Sequence, residues 1–128
     1  MKSGLELHDS RIDQAEIFGT DARVHFSHAY IYKSKGTPGR DPGTGWSQAA
    51  LLTITNAALT APWPALPNTI ADGVLEVGGI RHTLLPLPFK RRGDVTLSLA
   101  FTDGTRLEIK GRGASIELLG DAIYLEDD

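Results

Sequence analysis

The chain has 128 residues, the length of one domain, and its 13 lysines and arginines against 16 aspartates and glutamates leave a net charge of −3, which offers no global attraction to nucleic acid. It contains no cysteine, excluding disulfides, thiolate metal sites and a cysteine nucleophile, and making no demand for an oxidising compartment. No apolar run approaches the roughly 20 residues of a membrane-spanning helix, and Met1 to Glu6 lacks the basic-then-apolar order of a secretory signal, so a soluble, cytoplasmic chain without a membrane partner is expected.

Taken in chain order, β-branched and aromatic residues recur in short runs broken by Gly, Pro and Asp-Gly, with little helical spacing. Ile12 to Phe18 and Ala22 to Tyr32 flank Gly19-Thr20-Asp21 as a hairpin. Its second arm alternates through Val24, Phe26, His28, Tyr30 and Tyr32, with Arg23, His25 and Ser27 on the other face. Residues 33–45 hold four glycines and two prolines and nothing apolar, which predicts a long surface loop. From Gln48 to Leu59, Leu52 and Ile54 interleave with Thr53 and Thr55, a strand pattern whose alanines also permit helix. The three prolines of Ala61 to Pro67 remove ladder donors, so an extended connection is expected there. Gly73 to Val77 and Ile80 to Leu85 flank Gly78-Gly79, a pair suited to a tight hairpin turn.

The next hairpin can be set in register. Val95, Leu97, Leu99 and Phe101 share one face of a strand, and Leu107 and Ile109 one face of the next. A two-residue Asp103-Gly104 loop would set Leu99 opposite Glu108, whereas a three-residue Thr102-Asp103-Gly104 loop pairs Leu99 with Leu107 and Leu97 with Ile109. The longer loop is a type I turn followed by a bulge residue at positive φ, which Gly104 adopts readily. Gly111-Arg112-Gly113 reads as a bend, and Ala114 to Leu119 and Ala122 to Leu125 flank Gly120-Asp121 as separate strands. With no repeat or linker, these elements predict a single all-β domain, 1–128, an antiparallel β-sandwich or flattened barrel of roughly eight to ten strands.

Candidate sites follow from residue chemistry. His8-Asp9-Ser10 has the residue types of a hydrolytic triad, but neighbours on a strand point to opposite faces, and no Gly-x-Ser-x-Gly turn supplies an oxyanion hole. Hydrogen-bonded packing of a turn is the favoured reading, with Asp9 and Ser10 bonding nearby backbone. His25 and His28, three apart, fall on opposite sides of a regular strand, so no metal site or other cofactor is expected. The glycines of 33–45 superficially resemble a phosphate cradle, but Trp46-Ser47-Gln48 follows where a P-loop has Gly-Lys-Ser/Thr and a helix. Lys33, Lys35 and Arg40 make that loop basic, and Lys90-Arg91-Arg92 forms a second basic turn. If both lie at one end of the sheet they would hold an acidic partner; otherwise they are solvated faces. Trp46 and Trp63 are each either an interface anchor or a lid over the core. Pro64-Ala65-Leu66-Pro67 matches only the minimal Pro-x-x-Pro spacing. The last eighteen residues, from Gly111, hold five acids and one arginine, an acidic end that also discourages strand-to-strand aggregation.

Leu7-His8-Asp9-Ser10-Arg11-Ile12, followed by a hairpin, resembles the His-Asp-Ala/Ser motif that opens small bacterial domains of largely uncharacterised function, including an immunity-protein group found beside polymorphic toxins. Gly111 to Leu118 and Ile123 to Asp127 resemble the ends of such domains. The resemblance implies a bacterial, cytosolic, mostly β domain without established catalytic residues. The leading expectation is a non-enzymatic module that docks on a protein partner, immunity-like if the resemblance holds. The competitors are a small-molecule pocket or minor hydrolase site around His8 and Asp9, and a structural protein self-associating through its sheet edges.

Overall fold

A computed structural model of the chain describes residues 2–59 and 63–127. Nine strands and no helix appear among the described residues: β1 (Lys2–Phe18), β2 (Asp21–Ser34), β3 (Gly43–Thr55), β4 (Ala58–Leu59), β5 (Asn68–Val77), β6 (Ile80–His82), β7 (Leu84–Leu87), β8 (Lys90–Phe101) and β9 (Arg106–Asp127). They form one antiparallel sheet in the order β6-β5-β8-β9-β3-β2-β1-β7, with β4 added to β9. The sheet curls until β5 meets β1 through Arg11–Thr69 and Ile12–Asn68, closing β1, β2, β3, β9, β8 and β5 into a partial ring. This agrees with the expected all-β sandwich or flattened barrel, and closure leaves these strands without open edges where they pair.

Local sequence determined the hairpins. In β8–β9, Leu99 faces Leu107 and Leu97 faces Ile109, all buried. Gly104 sits at φ +88°, and its N–H donates to the Phe101 carbonyl at 3.0 Å while Phe101 N–H donates to Thr105 O at 2.8 Å. Asp103 accepts from the Thr105 hydroxyl and amide, bonds that hold its carboxyl below the usual value. In β5–β6, Val77 faces Ile80 across Gly78 and Gly79, both at positive φ, as a two-residue turn requires.

Several expectations are corrected. The first hairpin turns on two residues, with Phe18 opposite Asp21. Its second arm does not keep one phase: Val24 and Phe26 are buried, but a bulge follows, and Ala29 and Ile31 then take the buried positions. His28, Tyr30 and Tyr32 are turned off the core face as a result. The long loop shrinks to residues 35–42, because Lys33 and Ser34 pair with Thr44 and Gly43. Buried Ser34 anchors it, donating to Pro42 O at 2.9 Å and accepting from Gly36 N–H at 3.1 Å. Gln48 to Leu59 is not one strand: Asn56 takes φ +48°, and β4 resumes against Lys110 and Ile109 of β9. Finally, Gly111 to Gly113 and Gly120-Asp121 lie inside one continuous strand, β9. Gly111 marks a close approach, since a Cβ there would stand 2.4 Å from Ile54 Cγ2 and 2.6 Å from Thr55 O. Of the proline segment, Ala61 and Pro62 lie outside the described residues, and Trp63 to Pro67 is irregular up to β5.

Candidate functional site

Three irregularities fall at one level of the sheet. On β1, Glu6 faces Tyr30 and Arg11 faces His28, leaving three extra residues within Leu7 to Ser10. On β2, the interval from Phe26 to Ala29 spans that from Ala50 to Gln48 on β3, one residue extra. On β9, the interval from Leu119 to Ile123 spans only Ala49 to Ser47, two residues extra. Bulges add twist and re-aim side chains. Here they mark where β1 changes neighbour, pairing with β7 at Ser3–Glu6 and with β5 at Arg11–Ile12.

The His8-Asp9-Ser10 run forms the first of these bulges. Ser10 is fully buried, its hydroxyl donating to Glu6 O at 2.5 Å and accepting from Tyr30 N–H at 2.9 Å. Asp9 takes the left-handed conformation, φ +70°, one that aspartate tolerates better than most residues. His8 and Asp9 turn outward, Nδ1 and Oδ2 3.3 Å apart with side chains 55% and 66% exposed. The three consecutive residues therefore diverge, and the serine is committed to the backbone.

Asp9 instead meets residues of other strands. With His28, Ala29, Tyr30, Ser47 and Leu125 it lines a shallow depression of about 270 Å³ on the outer face. His28 Nδ1 lies 3.3 Å from Ser47 Oγ. The Tyr30 phenol crosses over Gly45, where a Cβ would sit 2.1 Å from its oxygen, and donates to Glu126 Oε1 at 2.6 Å. On β9, Ile123 is opposite Ser47 and 63% exposed, and Leu125 is 49% exposed. Polar groups and bare hydrocarbon thus stand side by side.

The remaining candidates are scattered. Lys33 lies over the Trp46 ring, Nζ 4.4 Å from its centroid. Half-buried Trp46 donates from Nε1 to Thr44 Oγ1 at 2.7 Å and packs edge-on against Tyr124 at 5.5 Å. Lys35 and Arg40 are exposed on the 35–42 loop, and Trp63 is 37% exposed. Lys90, Arg91 and Arg92 are not a turn: they open β8, pairing with Ser115, Ala114 and Gly113. Lys33, by contrast, pairs with Thr44, itself opposite Asp127. Lys90 therefore adjoins β9 at Ser115, whereas Lys33, one strand removed, lies level with Asp127 twelve residues further along, and the two basic groups do not share one end of that strand. Arg91 lies over the Phe89 ring, 4.9 Å from its centroid, and Phe89 in turn meets the edge of His82 at 5.5 Å. Burial, and secondarily the Arg91 charge, hold His82 below the ordinary imidazole value.

His25 and His28 both end up off the core face, because the bulge between them cancels the odd spacing. His25 pairs with Asp13 at 2.5 Å, and no group of three His, Asp or Glu able to hold a metal occurs among the described residues. Sequence reasoning missed His28, Tyr30, Ser47, Ile123, Leu125 and Glu126 as site residues. The available signal was the competing alternation Ala29, Ile31 against His28, Tyr30, Tyr32. A separate apolar cleft of about 550 Å³ lies between the start of β1 and β7, walled by Pro38, Leu84, Pro86 and Leu87 with Lys2 beside them. Among the described residues no helix is long and apolar enough to cross a membrane. No family model, curated protein or solved structure matches the chain.

Proposed function

We propose that the chain is a protein-docking module whose contact surface is the outer face at the aligned bulges, from Asp9 and His28 across Ser47 to Ile123 and Leu125. One observation carries this reading. Two of the large apolar side chains exposed among the described residues, Ile123 at 63% and Leu125 at 49%, stand on this face beside Asp9, His28, Tyr30 and Ser47. Single exposed apolar residues need no explanation, whereas an adjoining pair beside polar groups has the anatomy of an interface. The resemblance of residues 7–12 to the opening motif of immunity-type domains supports the same class of activity, with a toxin as the partner.

The test compares baits in extracts of the source cell: the wild-type chain, Ile123→Asp/Leu125→Asp, and Lys90→Ala/Arg91→Ala/Arg92→Ala. The expected result is a protein retained by the wild type and the basic-cluster variant and lost from the β9 variant, with all three baits melting alike. Identical capture by wild type and β9 variant overturns the reading, and loss only from the basic-cluster variant moves the surface to the start of β8.

A second reading rests on the cleft beside β7, whose volume of about 550 Å³ is in the range of small-molecule sites. A ligand-dependent rise in melting temperature that Leu84→Arg abolishes would support it; no rise across an apolar ligand panel would remove it.

A further inference from the structure

The two edges of β9 are used unequally. At Ile109, Lys110 and Gly113 to Ser115 the strand lies between β8 on one side and β4 or β3 on the other. Ile116 N–H still donates to Phe89 O at 3.0 Å. From Glu117 to Asp127 every strand pairing among the described residues is with β3. The segment therefore presents a second strand edge, interrupted by the bulge between Leu119 and Ile123, and such an edge is a template for another strand.

Charge selects the occupant. The segment carries Glu117, Asp121, Glu126 and Asp127 and no lysine or arginine. Antiparallel pairing of two copies would bring eight carboxylates into one ribbon without a cation, and like charges on neighbouring strands repel. A segment bearing lysine or arginine between apolar residues meets the opposite situation: its cations lie beside these carboxylates and its apolar side chains beside Leu118, Ile123 and Leu125. We propose that this edge of β9 receives an extended basic and apolar segment of a protein partner as an added antiparallel strand. Main-chain hydrogen bonds then supply affinity, and charge supplies the choice of partner. This deepens the docking reading and rests on it.

The experiment uses the full chain and a labelled ten-residue peptide of alternating lysine and valine, read by fluorescence anisotropy and by amide hydrogen exchange. The peptide is expected to bind and to slow exchange within residues 117–127. An alternating glutamate-valine peptide should bind more weakly by about tenfold or more, as should the lysine peptide N-methylated at alternate residues, which loses donors from one edge. Glu117→Lys/Asp121→Lys, which leaves two lysines against Glu126 and Asp127, should erase the preference between the two charged peptides. Equal binding of the N-methylated peptide overturns the proposal, leaving only polyelectrolyte attraction, as does protection outside 117–127. A dimer of the unliganded chain with protected 117–127 amides also overturns it, because the occupant is then a second copy. If the capture experiment succeeds and no peptide protects this edge, docking stands and strand addition falls. If the peptide adds as predicted while both baits capture the same proteins, the edge stands and the outer face is not the wider interface.

Discussion

Leu107 and Leu118 are leucines of the same strand, yet one is 1% exposed and the other 39%. The first half of β9 runs beside β8 and, from Ile109 onward, also meets β4 and then β3, and its Leu107 and Ile109 face Leu99 and Leu97 inside the ring. The second half has β3 on one edge, and its Ile123 and Leu125 face water. Leucine and isoleucine occur in both halves, so which of them is buried is decided by the surroundings of the strand and not by residue type. The first half places its apolar side chains in the core, and the second leaves apolar area exposed, the area on which the proposed docking draws.

The largest effect that would break this contrast is a truncation in each half. Phe26→Ala, inside the ring and fully buried, should cost about 3–5 kcal/mol in urea unfolding, whereas Leu125→Ala should cost less than about 0.5 kcal/mol. Similar losses would mean that the open half is packed after all. The glycines sharpen the same point. Gly111→Ala drives a Cβ into Ile54 and the Thr55 carbonyl and should cost about 1–3 kcal/mol through overpacking. Gly120→Ala meets open space but must hold φ +65°, a conformational cost of about 1–2 kcal/mol. Placing asparagine, which tolerates that conformation, should recover part of the second loss and none of the first.

At the boundary between halves, Ser10→Ala leaves the Tyr30 N–H and the Glu6 carbonyl without the buried hydroxyl. A loss of about 1–3 kcal/mol is expected, against little change for Ser47→Ala, whose hydroxyl bonds exposed His28. Equal effects would show that the bulge at Leu7 to Ser10 is not held by Ser10. The smallest effect is a pH dependence. Because His82 is held below its ordinary value of 6.5 in the folded chain, the unfolded chain binds the proton more readily. Its contribution is full above about pH 6.5 and is lost as the pH falls from there through the lowered value. His82→Gln should flatten the decline in stability between pH 7 and pH 5; an unchanged slope would assign the decline to other groups.

Legibility followed the range of the determining interactions. The β8–β9 register was readable because Leu97, Leu99, Leu107 and Ile109 must share a side and only a three-residue loop with Gly104 permits it. Gly78-Gly79 was readable for the same local reason. Lys33 and Ser34 were hidden as strand residues because their partners, Gly43 and Thr44, carry no apolar alternation. Gly111 and Gly120 looked like turns, since a glycine needed for close approach or for positive φ within a strand has the same letter as one in a turn. The alternation of β2 was misread past Phe26, where two apolar phases overlap and only β3 opposite decides between them. The proposed docking face escaped notice because its residues come from four strands far apart in the chain.

What the amino-acid order determined by itself was the all-β class, the tight hairpins and the β8–β9 facing pairs, because turn conformation and two-residue alternation are settled among near neighbours. The tertiary structure alone decided the meeting of β5 with β1, the alignment of three bulges and the one-sided company of β9 beyond Ile116. Each of those depends on which distant strands lie side by side, and backbone pairing between distant strands leaves little trace in the side chains of either one.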